Sequence, residues 1–402
     1  MNIASTPQPL FTPVRMGKLE LPNRIVMAPL TRMRAVDPGH APTGLHAEYY
    51  AQRASAGLII GEGTEISPNA YGWADTPGLW SAEQVRGWRG VTDAVHRKGG
   101  LMYAQLWHTG AMSHPDFFHG ALPMSASNVN PEQESVTPGG RKPTVAPRPM
   151  SKNEIRQTVA DFGIAAKNAM EAGFDGVQIQ ANYLYLFAQF LNSATNLRQD
   201  EYGGSTVNRA RLLFEITETI LQHVEPERVG IKIGPMNIPS LTPGYRPRDG
   251  IKVGPVKISG PFAANADTLP DMEYVIKRLN DYNLAHLLLM GANADFTGSP
   301  LEQLAGDGMF QHFRPLFHGH LIANVEMTQE RGNRLIKTGL ADSMAFGRPY
   351  IANPDLPERF LACATLNEIN WPTVYASGRK GYTDYPAHHL NPAIVSMSDR
   401  TF

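Results

Sequence analysis

The stretch SKNEIRQTVADFGIAAKNAMEAGFDGVQIQ, residues 151–180, holds one helix-to-strand unit from start to stop. Residues 152–172 carry a helical period, and Ser151 with Glu154 three positions later reads as a capping box at its start. Gly173 sits where a helix C-cap belongs, and the short apolar run 176–180 that follows reads as a buried strand.

Outward from this unit the same alternation runs along the chain. Further candidate strands are 24–28, 58–61, 101–105, 229–233, 284–290, 321–323 and 343–345. Helix-like stretches lie at 81–98, 208–223, 271–282 and 328–339, the last ending at Gly339. Short apolar runs alternating with helical segments argue for βαβ units and a parallel sheet, and eight such strands suit a closed (β/α)8 TIM barrel. The 402 residues are expected to form one domain, 1–402, because barrels of this kind accommodate long insertions. Two insertions are expected on the C-terminal face. Residues 117–149 are rich in Pro, Ser, Asn and Gly and read as a long loop with a small hairpin; residues 234–270 form a second irregular stretch. Within the latter, GIKVGP at 250–255 nearly copies GIKIGP at 230–235. The first copy is preferred as the barrel strand because it directly follows a helix.

Composition narrows the function. With 36 Lys and Arg against 37 Asp and Glu, and no basic stripe, the chain has no field to attract nucleic acid or an anionic membrane. Its single cysteine, Cys363, allows neither an internal disulfide nor a cysteine metal cluster, which favours a reducing compartment. No run of about 18 apolar residues and no apolar leader occurs, so a cytoplasmic location is the expectation.

Barrel chemistry collects at the C-terminal ends of strands. Those positions hold Pro29, Leu30 and Thr31 after the first strand, Gln105, Trp107 and His108 around the end of the third, and Gln180, Asn182, Tyr183 and Tyr185 at the end of the fourth. Lys232, Asn324, Gly347 and Arg348 follow on later strands. The set has no carboxylate pair and no metal-ligand spacing, so hydrolysis by either route lacks its parts. Amide and hydroxyl donors, one lysine and a Gly-Arg pair near the last strand suit a phosphorylated heterocycle, since barrels commonly seat phosphate after strands seven and eight. Singly, each residue has a plainer reading: Arg348 as a surface ion-pair partner, Trp107 and Tyr185 as core packing.

Five ordered segments together resemble the Old Yellow Enzyme family from about Pro9 to Pro386: NRIVMAPLTRMRA, ISPNAYGWADTPGLWS, YAQLWHTGAMSH, NSATNLRQDEYGGSTVNRARLLFE and AFGRPYIANPDLPERF. The resemblance implies noncovalent FMN, NADPH or NADH as reductant, and a small-molecule substrate with an activated alkene; the oligomeric state is left open. It places Thr31 near the flavin carbonyl beside the reactive nitrogen and Gln105 at the pyrimidine edge. Pro29, Leu30, Gly63, Asn324 and Val325 complete the cofactor contacts, with Gly347 and Arg348 at the phosphate. Lys232 matches a position usually held by arginine, where a cation stabilises the charge that reduction places on the ring. Tyr185, aligned through the following Gln189, Phe190 and Leu191, matches the tyrosine that protonates the substrate α-carbon. Trp107 and Thr31 would border the substrate.

The chain departs from the family pattern in several places. Gln180 and Tyr183 stand where the family carries a His-x-x-His or His-x-x-Asn pair, and Asn182 enters instead if the strand end bulges. Val325 and Glu326 replace small residues in the phosphate turn, and Ala111 replaces a common arginine. Three functions stay open: an ene-reductase with altered preference, a flavoprotein catalysing redox-neutral isomerisation, and a barrel that has lost FMN and binds a ligand.

Overall fold

The computed structural model describes residues 8–182, 184–235, 260–291 and 296–388. Tyr183, the second GIK copy at 250–255 and most of the 234–270 insertion lie outside the described residues.

Eight strands close into a barrel: β1 (Ile25–Met27), β2 (Leu58–Glu65), β3 (Met102–Trp107), β4 (Gly176–Gln180), β5 (Val229–Ile233), β6 (His286–Met290), β7 (Leu321–Asn324) and β8 (Ser343–Phe346). Every neighbouring pair is parallel, and β8 returns to β1 through Met344↔Ile25, Ala345↔Val26 and Phe346↔Met27. All eight apolar runs read from the sequence are therefore barrel strands, and the first GIK copy lies in β5. The runs are apolar almost throughout because each strand is covered on both faces.

Around the barrel run α1 (Gly44–Ala51), α2 (Ala82–His96), α3 (Lys152–Glu171), α4 (Leu186–Leu191), α5 (Thr206–Leu221), α6 (Thr268–Leu279), α7 (Gly308–Phe313), α8 (Gln329–Lys337), α9 (Arg348–Ala352) and α10 (Leu356–Leu361). The Ser151 capping box forms: Glu154 N–H donates to Ser151 Oγ (3.2 Å) and Ser151 N–H to Glu154 Oε2 (2.8 Å). Gly173 (φ +86°) ends α3 in the left-handed conformation that glycine adopts without strain. The short helices α1, α4, α7, α9 and α10 have no periodic signal of their own, because each is held by tertiary packing.

Apolar side chains fill three levels. Val26, Leu58, Ile60, Tyr103, Leu288, Ile322 and Ala345 pack together with Met16 and Leu21 of an N-terminal hairpin, Val14–Met16 paired with Leu19–Leu21. A larger layer lies between strands and helices. The third, Met33, Trp73, Trp107, Met112, Leu184, Tyr185 and Phe262, gathers residues that follow or end the strands. The 117–149 insertion contains the expected hairpin, Glu134–Thr137 against Gly140–Pro143. No described helix is long and apolar enough to cross a membrane.

Candidate active site

At the strand ends a cavity of about 210 Å³ is lined by Pro29, Leu30 and Thr31 after β1, Gly63 on β2, Gln105 and Trp107 on β3, Gln180, Asn182 and Tyr185 at and after β4, and Lys232 on β5. The sequence named these ten. Arg32, Trp73, Met290, Ile351, Val374 and Tyr375, which it did not name, complete the wall. Gly63 is required by packing. The β2–β3 register shifts between Ile60 and Gly63, and a Cβ on Gly63 would lie 2.4 Å from Trp107 Cε3.

Lys232 is 7% exposed, and burial pushes its ammonium down to about 8. No described side chain pairs with it. A buried cation with no partner that opens on a cavity favours a ligand that carries or develops negative charge. Beside it in register, Gln180 ↔ Lys232 across β4 and β5, stands one of the candidate donors. Gln105 donates from Nε2 to Gln178 Oε1 (2.8 Å), and Gln178 Nε2 lies 2.9 Å from His286 Nε2. Burial pushes His286 down to about 3, so the ring is neutral and its Nε2 accepts. One N–H of Gln105 is thus committed to the barrel interior, and its Oε1 is left for a ligand.

Tyr185 is the N-cap residue of α4 and its ring meets Trp107 edge-on, with centroids 4.9 Å apart. Gln189 fixes this segment. Its Nε2 donates to Leu184 O (2.6 Å) and Thr109 O (3.0 Å), and its Oε1 accepts from Ala111 N–H (2.9 Å) and Ser125 Oγ (2.8 Å). Asn182 lines the cavity and donates from Nδ2 to Met290 Sδ. Gln180 Oε1 and Asn182 Oδ1 are buried without a partner. Of the anticipated donor pair the structure therefore describes Gln180 alone, with Asn182 as its neighbour at the cavity wall.

The residues anticipated at the phosphate do not line this cavity and lie at the ends of β7 and β8. Asn324 on β7 donates from Nδ2 to Ala345 O of β8 (2.8 Å), which ties the two strand ends together. Val325 (φ +79°) and Glu326 (φ +51°) follow in left-handed conformations, the physical reason small residues suit this turn. Arg331 Nη1 holds the turn by donating to Val325 O (3.1 Å). Gly347 caps α9, and a Cβ there would meet only Leu30 Cδ2 at 3.6 Å and Ala28 Cβ at 3.9 Å. Arg348 is exposed and has no ion-pair partner among the described residues.

Arg32 and Arg34, which follow β1, belong to a buried charged cluster whose members the sequence does not bring together. Arg32 donates to Tyr49 Oη (2.9 Å), Val374 O (3.2 Å) and Gly381 O (2.7 Å); Arg34 donates to Val374 O (2.6 Å) and Thr373 O (2.7 Å). Tyr49 and Tyr382 stack with centroids 3.9 Å apart, with Arg53 over Tyr49 at 3.7 Å. These bonds pin the C-terminal segment so that Val374 and Tyr375 wall the cavity. Arg32 N–H and Tyr50 Oη donate to the buried Glu62, and burial pushes its carboxyl up to about 7. The cluster is assembled from four distant segments, so local sequence carries no trace of it.

The residues present fit FMN. The unpaired Lys232 suits the charged edge of a reduced flavin, the Gln105 amide suits a pyrimidine edge, and Arg348 is free for a phosphate.

The profile of the NADH:flavin oxidoreductase / NADH oxidase family matches residues 9–243. A putative 12-oxophytodienoate reductase 2 of Oryza sativa is 38% identical over 389 residues, spanning 94% of each chain. The flavin oxidoreductase hxnT of Emericella nidulans is 38% identical over 397 residues, 96% of this chain and 99% of that protein. Among solved structures, morphinone reductase superposes with a TM-score of 0.84 at 37% identity, covering 97% of this chain and 100% of that one. The old yellow enzyme homologue from Zymomonas mobilis gives 0.82 at 38%, covering 94% and 99%. With the barrel, the cavity and these matches in agreement, the chain belongs to the NADH:flavin oxidoreductase / NADH oxidase family, the Old Yellow Enzyme family of FMN-dependent, NAD(P)H-driven oxidoreductases.

Proposed function

We propose that this protein reduces a carbon–carbon double bond conjugated to a carbonyl group, with Tyr185 as proton donor and the carboxamides of Gln180 and Asn182 as the donors to the carbonyl oxygen. The observation that carries the reading is the convergence of Tyr185, Gln180, Asn182 and the unpaired Lys232 on one cavity. FMN held by Gln105, Lys232 and Arg348 would supply the hydride chemistry that links NAD(P)H to the alkene β-carbon.

The chain's own groups have separate tasks. Lys232 offsets negative charge at the cofactor edge through a point charge, without the planar fork of an arginine. Gln180 and Asn182 offer neutral N–H donors as charge grows on the carbonyl oxygen, where one positioned donor is worth about 2.7 to 4 kcal/mol. Tyr185, held by the Gln189 amide, delivers a proton to the α-carbon; a phenol of ordinary pKa about 10 is acid enough toward an enolate-like carbon. Trp73, Trp107 and Tyr375 exclude water from the reacting atoms.

Stopped-flow absorbance separates the two half-reactions, because flavin bleaches with NADPH and recolours with the alkene. Recolouring by a conjugated carbonyl compound, slowed at least tenfold by Tyr185→Phe with bleaching unchanged, is the expected result. Bleaching without alkene-driven recolouring would refute the reading.

A further inference from the structure

Four residues stand side by side across the barrel in one register: Gln105 on β3, Gln178 on β4, Gly230 on β5 and His286 on β6. Gly230 is the gap in this row. A Cβ there would collide with Cε1 and Nε2 of His286, so the ring lies across β5 where a side chain would otherwise stand, and its Nε2 comes within 2.9 Å of Gln178 Nε2. Gln178 and His286 are fully buried and do not line the strand-end cavity, whereas Gln105 does.

A row of carboxamides ending on a neutral imidazole has a direction. Because His286 Nε2 accepts, Gln178 donates at that end and accepts from Gln105 Nε2 at the other (2.8 Å), which turns Gln105 Oε1 toward the cavity. Were His286 to donate from Nε2, both amides would turn over and an NH2 group would face the cavity instead. The direction matters to a ligand. Gln180 Oε1 and Asn182 Oδ1 are sealed within the wall, but Gln105 Oε1 is not sealed and accepts from no described residue, so it is the carboxamide oxygen that a ligand N–H can reach. The pyrimidine ring of FMN offers such a group, an N–H set between two carbonyls.

We propose that Gln178 and His286 are positioning residues for the cofactor: across the Gly230 gap they hold Gln105 with its oxygen outward, so that the site selects a ring carrying an N–H between carbonyls. The proposal rests on FMN as the cofactor and adds two residues that act on it only through Gln105.

Fluorescence titration of the full-length apoprotein with FMN and with FMN methylated at that ring nitrogen reads the selection as a ratio of dissociation constants. A loosened fold weakens both ligands alike and leaves the ratio unchanged. The wild type should prefer FMN at least about tenfold, as expected where a site built to hydrogen-bond an N–H meets an analogue lacking it. Gln178→Leu and His286→Leu, tested separately, should each reduce that preference at least about threefold, the loss of roughly one weak hydrogen bond's worth of orientation. Gln178→Glu should keep it, because a carboxyl group there still accepts from Gln105 and, when protonated, donates to His286. In a Gln105→Leu background, His286→Leu should change the ratio no further. A preference that survives in both leucine variants, or one that falls equally in Gln178→Glu, would overturn the proposal. Binding of FMN by the wild type without any preference would overturn it and leave the cofactor assignment standing, whereas no binding of FMN at all would overturn both.

Discussion

Gln189 donates its backbone N–H to the carbonyl oxygen of Tyr185 at 3.0 Å, one turn into α4, while its side chain bridges Leu184 to the loop after β3. The candidate proton donor is therefore positioned by a residue that does not line the cavity. Gln189→Leu strands four buried polar partners and should lower unfolding free energy by about 2 to 4 kcal/mol. It should also slow alkene-driven recolouring more than tenfold while bleaching by NADPH stays near normal. Equal slowing of both half-reactions would mean that the change disturbs the whole cavity and does not act on Tyr185.

Lys232 is the cavity's one unpaired ammonium among the described residues, so Lys232→Met should lower the flavin reduction potential. A charge interaction of about 1.5 to 3 kcal/mol at a partly screened site corresponds to roughly 30 to 60 mV for a two-electron couple. Because burial depresses this lysine to about 8, the cation is present below that pH and lost above it. The gap between the wild-type and variant potentials should narrow as pH rises through that value. A pH-independent gap, or an equal shift from Lys252→Met, would show that a different cation faces the cofactor.

Val325 holds φ +79°, a conformation that a β-branched residue adopts only under strain. Val325→Gly should stabilise the protein by about 1 kcal/mol, the relief of strain exceeding the extra freedom of glycine in the unfolded chain. Urea denaturation of the apoprotein measures this, and a lower midpoint for the glycine variant would contradict it.

Arg348 stands exposed where β8 gives way to α9, without an ion-pair partner among the described residues. Arg348→Ala should weaken FMN by about 1.5 to 3 kcal/mol with little effect on apoprotein stability. Unchanged FMN affinity by fluorescence titration would place the phosphate at another site.

Buried neutral histidines should make the fold acid-labile. Burial holds His46 at about 4 and both His108 and His286 at about 3. Unfolded, each titrates near 6.5, so their stabilisation is complete above that pH and is lost as pH falls toward the folded values. Each contributes a slope of about 1.4 kcal/mol per pH unit in that window. Glu62, raised to about 7, and Glu65, also raised by burial, act in the opposite sense, so they reduce the histidine slope without reversing it. Denaturation midpoints that stay flat between pH 6.5 and 4.5 would show that these rings are not neutral and buried.

The eight apolar runs, the capping box at Ser151 and the glycine ends of α3 and α8 rest on contacts close in sequence, so the barrel could be read directly from the chain. The same reading placed Thr31, Gln105, Gln180, Tyr185 and Lys232 at strand ends, because barrel geometry gives those positions to the site. It could not show that Val325 and Glu326 turn left-handed, since φ is set by how β7 passes into α8. Nor could it find Arg32, Arg34, Tyr49, Glu62 and Tyr382 as one cluster, or bring Val374 and Tyr375 onto a cavity built largely from strands far earlier in the chain. Periodicity determines which face of an element is apolar. Which distant segments share a buried charge or a cavity wall is decided only when the chain closes on itself and each buried polar group must find a partner.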